Sequence, residues 1–430
     1  MSGRSTTLRA AAEVALGRQR APQHDSGPHM VPYLRAANVK DGVLDLTDVK
    51  EMNFAPSEQQ TFSLRPGDVL ITEGSGSLSA VGASAVWRGE IDGVVCFQNT
   101  LLRLRPRDDR ADGRFLEWWA RSAFGSGVFA SVASGANIYH ISAERVRALP
   151  IELPPLEEQR RIAHFLDAET ARIDRLVTAS QQQSDLITER FTECLRVLTT
   201  TAGCSEVTST GVSWMPEMAS DWQLMKVGRS FLTSSGTTPR SSESDYFDGP
   251  HFWVNTGDLR DGAIEKPKKT VTDAALRDYP TLRMYAPGSL VVAMYGATTG
   301  RVGILKVPAC VNQACCVLSE LGPVSSRYAF LWFRAHREEI LKLASGGGQP
   351  NISQDLVRSL KIPAPPREKQ EEIVGQANSL ESISSRQEQL QLRRAELLTE
   401  RRQALITAAV TGQFDVSTAS GRNVTDGVTT

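Results

Sequence analysis

Residues 141–162 read ISAERVRALPIELPPLEEQRRI, and residues 352–373 read ISQDLVRSLKIPAPPREKQEEI. They align without a gap at an offset of 211 residues, and 11 of the 22 positions are identical, among them Ser142/Ser353, Arg147/Arg358, Pro155/Pro366, Glu157/Glu368 and Gln159/Gln370. A long internal repeat constrains the architecture before any other reading. Weaker echoes precede each copy in the same order: Asn38-Val-Lys-Asp-Gly42 with Asp258-Leu-Arg-Asp-Gly262, Pro66-Gly-Asp-Val-Leu70 with Pro287-Gly-Ser-Leu-Val291, Cys96-Phe-Gln-Asn99 with Cys310-Val-Asn-Gln313, and Trp118-Trp119 with Trp332-Phe333. The chain therefore reads as a tandem duplication with pseudo-twofold halves.

Each half has two textures. The first is Gly-rich, with short apolar runs that predict strands at 69–72, 94–97 and 100–104, then at 290–294, 302–307 and 315–318. Asp41-Gly42 and Asp261-Gly262 are turn signals. The second texture begins after Pro154-Pro155, where about 45 residues pass without Gly or Pro. Ile162, Leu166, Ile173, Leu176, Ile187, Phe191 and Leu198 recur there at helical steps. After Pro365-Pro366 the stripe returns as Ile373, Leu380, Ile383, Leu390, Leu397, Ala404 and Ala408. A Pro pair suits a helix start, whose first N–H groups have no intrahelical partner. At 1.5 Å per residue each helix spans roughly 65 Å. Two such stripes can bury each other in an antiparallel pair; the alternative is that each helix docks on its own globular part.

Length and composition fit this plan. The chain has 430 residues, 40% apolar and 23% charged, with a formal net charge of −1. That predicts two to four ordinary globular domains at roughly 150 residues each and makes wholesale disorder or a disulfide scaffold improbable. The six cysteines lack zinc-ligand spacing and read as buried reduced thiols. No stretch approaches the roughly 20 apolar residues of a membrane helix, and the N-terminus does not read as a signal peptide. The expected compartment is the cytoplasm.

Reaction motifs are missing from the sequence: no GxxxxGK[ST], no HExxH, no GxSxG, and no Asn/Asp-Pro-Pro-aromatic motif. Asp258, Asp261, Glu265 and Lys268 come nearest to a nuclease-like cluster, interrupted by Pro267. Local charge is more informative than the total. Residues 226–362 hold 17 basic against 12 acidic side chains, and residues 1–150 hold 17 against 16. The globular parts also carry loops that mix amide, hydroxyl, aromatic and basic groups, the types that grip phosphates and read base edges. By residue type and loop position the candidate DNA-binding residues are Tyr33, Arg35, Asn38, Lys40, Ser75, Ser77, Gln98, Asn99, Asn137 and Tyr139 in the first half. In the second half they are Trp253, Asn255, Arg260, Tyr295, Thr298, Thr299, Arg301, Asn312, Gln313, Gln349 and Asn351. No catalytic, cofactor or metal residue is assigned.

Several segments resemble the specificity subunit of type I restriction-modification systems. Residues 211–222, GVSWMPEMASDW, look like the opening of one of that family's target-recognition domains, with Ala219 where a Pro is usual. Gly236-Thr-Thr-Pro239 is similar to its Gly-x-Thr-Pro element, for which the first half offers only Gly17-Arg-Gln-Arg-Ala-Pro22. Residues 153–159 and 362–370 resemble the Pro-Pro-x-x-x-Gln lead-in to its conserved helices, and residues 401–416, RRQALITAAVTGQFDV, resemble its closing helix. The resemblance spans roughly residues 10 to 416.

The resemblance implies an α+β chain with two β-rich target-recognition domains separated by two long antiparallel coiled-coil helices. The expected boundaries are 1–150 and 206–362 for the recognition domains, 151–205 and 363–416 for the helical spacers, and 417–430 for a disordered tail. It implies a non-catalytic subunit that reads a split, asymmetric sequence in double-stranded DNA through the major groove, the helices setting the spacer. The implied partners are two methyltransferase subunits and two ATP-driven restriction subunits. S-adenosylmethionine, ATP and magnesium would belong to those partners, and no membrane is involved. Two other readings stay open on residues alone: a bivalent coiled-coil protein scaffold, and a nuclease or methyltransferase in its own right.

Overall fold

The computed structural model describes residues 4–344 and 351–416. The expected tail at 417–430 lies outside the described residues, as does Gln349. The chain divides into two compact units, Met1–Gln181 with Leu392–Thr430, and Gln182–Gln391.

In unit 1 a four-stranded antiparallel sheet runs in the order Ala12–Leu16, Leu101–Pro106, Val69–Thr72, Ser84–Val86. The Val69–Thr72 strand is apolar at three of four positions and buried along its whole length, which is why it sits inside the sheet. Helix Gly113–Gly125 covers this sheet, and its Phe115, Leu116 and Trp118 enter the same core. A second sheet sets Met30–Leu34 between Cys96–Phe97, to which it is parallel, and Lys50–Asn53, to which it is antiparallel.

Unit 2 repeats the plan. Its five-stranded sheet runs Phe231–Ser235, Cys315–Glu320, Leu290–Ala293, Val302–Leu305, Gly262–Ile264, under helix Ser326–Ala335. Its three-stranded sheet sets Phe247–Val254 between Ala309–Val311 and Lys269–Val271. Asp41-Gly42 closes a two-residue hairpin between Val39–Lys40 and Val43–Leu44. Asp261-Gly262 does not make a hairpin: Asp261 takes a left-handed conformation and the following strand pairs in parallel with Val302–Leu305. The strand expected at 94–97 is confined to Cys96–Phe97.

The identities in the repeat fall on joints. Ser142 and Ser353 are N-caps whose hydroxyls accept the N–H groups of Arg145 and Leu356 at 3.3 and 3.0 Å. Gln159 is fully buried; its Oε1 accepts the Asp112 N–H at 2.9 Å, and its Nε2 donates to the carbonyls of Arg110 and Pro154, both at 2.8 Å. Gln370 repeats each contact: Oε1 accepts the Ser325 N–H at 2.8 Å, and Nε2 donates to Pro323 and Pro365 at 2.9 and 2.8 Å. Each glutamine ties a helix lead-in to the segment before the sheet-covering helix of its unit.

The helices run Leu156–Thr200 and Arg367–Val410, and they pack on each other within the units they enter. In unit 1 the ring of Phe165 lies 5.6 Å from that of Phe414, and Asp174 pairs with Arg402 at 3.1 Å. The numbering rises on one helix as it falls on the other, so the pair is antiparallel there. In unit 2 the Thr188 hydroxyl donates to Glu388 at 2.5 Å. The first helix also docks on its own sheet-covering helix, where Trp118 Nε1 donates to Asp167 at 2.9 Å.

The first stripe holds where it meets the core: Ile162, Leu166 and Ile173 are buried. The second stripe needs correcting. Ile383, Leu390 and Leu397 are 56%, 61% and 47% exposed, whereas Ile373, Ala377, Leu405, Ile406 and Ala409 are buried. The inward face in the middle of the pair carries small or polar side chains, such as the buried Ser180, so picking the largest apolar residues selects the wrong face.

The cysteine expectation holds for four of the six. Cys96, Cys310, Cys315 and Cys316 are buried, but Cys194 and Cys204 are exposed. Burial pushes the Cys96 thiol up to about 12 and that of Cys310 to about 11, leaving both as inert thiols.

His336 is buried in unit 2 with its ring 5.3 Å from Trp332 and 5.4 Å from Trp214, and neither ring nitrogen has a hydrogen-bond partner. Burial, and then the nearby Arg196, which is itself paired with Glu339, hold its pKa down at about 3. An unfolded histidine titrates near 6.5. The unfolded state therefore binds the extra proton below that pH, and unit 2 loses stability as pH falls from 6.5 towards 3. The loss approaches about 1.4 kcal/mol per pH unit. Urea unfolding of the native chain between pH 7.5 and 5 should show this slope, and His336→Phe should flatten it. An equal slope in the variant would assign the pH dependence elsewhere.

Candidate nucleic-acid interface

Candidate recognition side chains gather where the paired parallel strands end. In unit 1, Tyr33 faces Cys96 and Leu34 faces Phe97. The Gln98 N–H then donates to the Leu34 carbonyl at 2.9 Å, so Arg35 and Gln98 leave the sheet side by side. Tyr33, Arg35 and Gln98 line one cleft of about 560 Å³ with Arg20, Lys50 and Thr100. In unit 2, Trp253 faces Cys310 and Val254 faces Val311. The Asn312 N–H donates to Val254 at 2.9 Å, and the side chains of Asn255 and Asn312 are bonded to each other at 3.3 Å.

One feature of this joint is shared by both units and was only half visible in sequence. At Gly17 a Cβ would lie 2.2 Å from the Gln98 carbonyl oxygen, and at Gly236 it would lie 2.0 Å from that of Val311. Gly17 is thus the counterpart of the glycine in Gly236-Thr-Thr-Pro239. Both positions need glycine because two backbones cross there.

A second group of loops lies beyond strands Val69–Thr72 and Leu290–Ala293. In unit 1, Tyr139 faces Ser75 across a short antiparallel bridge, and His140 Nδ1 lies 2.9 Å from Glu73 Oε2. The Ser77 and Ser79 hydroxyls are bonded at 2.8 Å, and Asn137 is exposed nearby in sequence. In unit 2 the Tyr295 hydroxyl donates to the Gln313 carbonyl at 2.7 Å, and the Ile352 N–H, next to Asn351, donates to Met294 at 2.8 Å. Arg260, Arg301, Gln313 and Asn351 are exposed.

Three candidates are corrected. Asn38 is buried; its Oδ1 accepts the Arg35 N–H at 3.1 Å, and its Nδ2 donates to Asp45 and Asp48 carbonyls. It is a turn cap with nothing left for a base. Trp253 is 3% exposed and donates Nε1 to the Thr237 carbonyl, so it belongs to the core. Thr299 is buried and bonds the Gly296 carbonyl at 2.7 Å. Lys40 is held by Asp45 at 2.9 Å on a hairpin and does not line the cleft. Thr298 donates to the Thr256 carbonyl at 3.1 Å, and Asn99 uses its backbone N–H on Arg18. Sequence reading did not single out Arg20, Lys50 and Thr100, which also line the cleft; Lys50 reaches it through strand register, facing Tyr33, and Arg20 and Thr100 from the adjoining loops.

The two aspartates of the nuclease-like cluster are committed to the fold. Asp258 caps the Asn255 N–H at 2.9 Å, and Asp261 is bonded to Arg337 and to the Val302 N–H. Among the described residues no group of three or more His, Cys, Asp or Glu could hold a metal ion, and no helix is long and apolar enough to cross a membrane.

Two like units, each offering polar loop side chains from the ends of a small parallel pair, Arg35 and Gln98 in one and Asn255 and Asn312 in the other, define a duplicated recognition protein. The chain matches the type I restriction modification DNA specificity domain over residues 17–183 and again over 219–392. It belongs to that family, as a DNA specificity subunit of a type I restriction-modification system and the non-catalytic member of its complex. It is 31% identical to the EcoKI specificity subunit of Escherichia coli K12 over 167 residues, 38% of this chain and 34% of that one. It is 22% identical to the MjaVIII specificity subunit of Methanocaldococcus jannaschii over 409 residues, 90% of this chain and 86% of that one. A chain in a solved type I restriction-modification assembly shares the fold with a TM-score of 0.74 at 18% identity, covering 96% of this chain and 98% of that chain.

Proposed function

We propose that the chain reads a split, asymmetric sequence in double-stranded DNA, one half-site per unit, through the major groove. The observation that supports this most directly is the recurrence of the same loop pair, Arg35 with Gln98 and Asn255 with Asn312, at matching strand ends in both units. Guanidinium and amide groups can make paired hydrogen bonds to guanine and adenine edges. The long helices set the unspecified spacer and dock two methyltransferase subunits, which carry S-adenosylmethionine. The exposed row Ile383, Leu390 and Leu397 suits such docking, because apolar side chains left on a formed helix gain by being covered. Two restriction subunits complete the assembly and carry ATP and magnesium. The complex works in the cytoplasm.

The test is sequencing of methylated adenines in a host carrying this gene and a confirmed active methyltransferase, with and without this gene. A split motif that vanishes on deletion is expected. An unchanged methylome would favour the scaffold reading, whose binding to duplex DNA would lack a steep salt dependence. Co-purification of the methyltransferase with the chain tests the docking.

Arg301 is exposed on the loop after Leu290–Ala293. Arg301→Ala should weaken binding to the cognate duplex by roughly 1–3 kcal/mol, the range for a good base contact. Competition binding against a scrambled duplex checks it; unchanged affinity and unchanged discrimination would remove Arg301 from the interface.

A further inference from the structure

The loops entering the cleft-side strands differ in charge between the units. Lys50 faces Tyr33, and Lys269 faces Trp253, so these two lysines occupy matching places. The residues before Lys50 read Asp45-Leu-Thr-Asp48-Val49; those before Lys269 read Glu265-Lys-Pro-Lys268. Counting each loop with its lysine, unit 1 is net −1 and unit 2 is net +2.

Geometry widens the difference. In unit 1 a single carboxylate serves two cations: Asp48 holds Lys50 at 2.7 Å and Arg35 at 2.5 Å. Asp45 holds Lys40 at 2.9 Å. Hydrogen bonding from Lys50 keeps the Asp48 carboxyl below its usual range, and bonding from Thr47 and then Lys40 does the same for Asp45, so both stay ionised. In unit 2, Lys266 and Lys268 are exposed and have no ion-pair or hydrogen-bond partner among the described residues. Arg260, just before strand Gly262–Ile264, is exposed and has no ion-pair or hydrogen-bond partner among the described residues either. Of the nearby acids, Asp261 is engaged by Arg337, Asp273 by His251 and Asp278 by the Tyr246 hydroxyl; Glu265, within the loop, is exposed and leaves its three lysines in excess.

A cation already paired with a carboxylate adds little to the outside potential. Moving it to a phosphate leaves the carboxylate facing that phosphate unpaired. A free lysine instead neutralises a phosphate and releases a condensed counterion. We propose that the loop at residues 265–269 is the duplex-phosphate anchor of this protein, and that unit 1 is self-masked by Asp45 and Asp48, so sequence-independent affinity comes from unit 2 while unit 1 contributes mainly base reading. This rests on the DNA-reading function proposed above.

The test uses the full chain and a mixed-sequence duplex, with binding followed from roughly 50 to 200 mM salt. The Lys266→Ala/Lys268→Ala variant should lower the log–log salt slope by about 1.8, since each phosphate contact carries about 0.9. Asp45→Asn/Asp48→Asn should raise the slope by roughly 1–2 as the masked cations are freed. An unchanged slope in the lysine variant overturns the anchor, and an unchanged slope in the asparagine variant overturns the masking. Absence of salt-dependent duplex binding by the native chain would instead take down the DNA reading itself, so the failures are distinguishable.

Discussion

Gln370→Ala should destabilise unit 2 by about 3 kcal/mol or more, the sum expected when several buried groups lose their partners at about 1–3 kcal/mol each. The side chain is fully buried and makes three bonds, one accepted from Ser325 and two donated to Pro323 and Pro365. Truncation strands an N–H and two carbonyls at the start of the second long helix. Gln370→Glu should be no milder, because a carboxylate can still accept from Ser325 but cannot donate to the two carbonyls. Gln159→Ala should act alike in unit 1, where the bonding is the same. Urea unfolding of the full chain measures both. A loss under about 1 kcal/mol, the net worth of one ordinary hydrogen bond, would mean that water replaces the clamp and that the repeated glutamine is not kept for stability.

This clamp also explains why the duplication is legible in sequence. The positions that repeat are those where one residue type alone satisfies the backbone: the Ser caps, the Pro lead-ins and the buried glutamines. Helix length was equally legible, because Pro-Pro marks each start and Gly and Pro are absent from the first run. The face of the second helix was not. Ile383, Leu390 and Leu397 keep a perfect spacing yet point outward, since the helix pair closes over small and polar residues that hydrophobic patterning does not count.

The site was legible only in part, for a related reason. A loop amide or hydroxyl can serve a ligand or its own turn, and composition does not tell which. Gln98 reaches the cleft, whereas Asn38, of similar type and also in a loop, spends its whole side chain on Arg35, Asp45 and Asp48. Lys50 was invisible because its place depends on which strand pairs with which. The lysine run at 266–269 could have been found from charge spacing alone.

The largest functional effect is expected from shortening the helix pair. Asp174 pairs with Arg402 in unit 1, and Thr188 with Glu388 in unit 2. Removing one heptad from residues 175–187 and one from 389–401 would leave both of these contacts in place. A heptad returns each helix to nearly the same face, so Ile173 and Ile373 keep their buried partners. It removes about 10 Å of rise, the length of about three base pairs at 3.4 Å each. The methylome of a host carrying the shortened chain should therefore lose the original motif and gain one with the same two half-sites and a spacer about three base pairs shorter. Altered half-site bases would sink the idea that the helices measure and the loops read. Loss of all methylation, with the shortened chain folded and still bound to the methyltransferase, would mean that the helix pair does more than set distance, for instance fixing the angle at which the two units meet the groove.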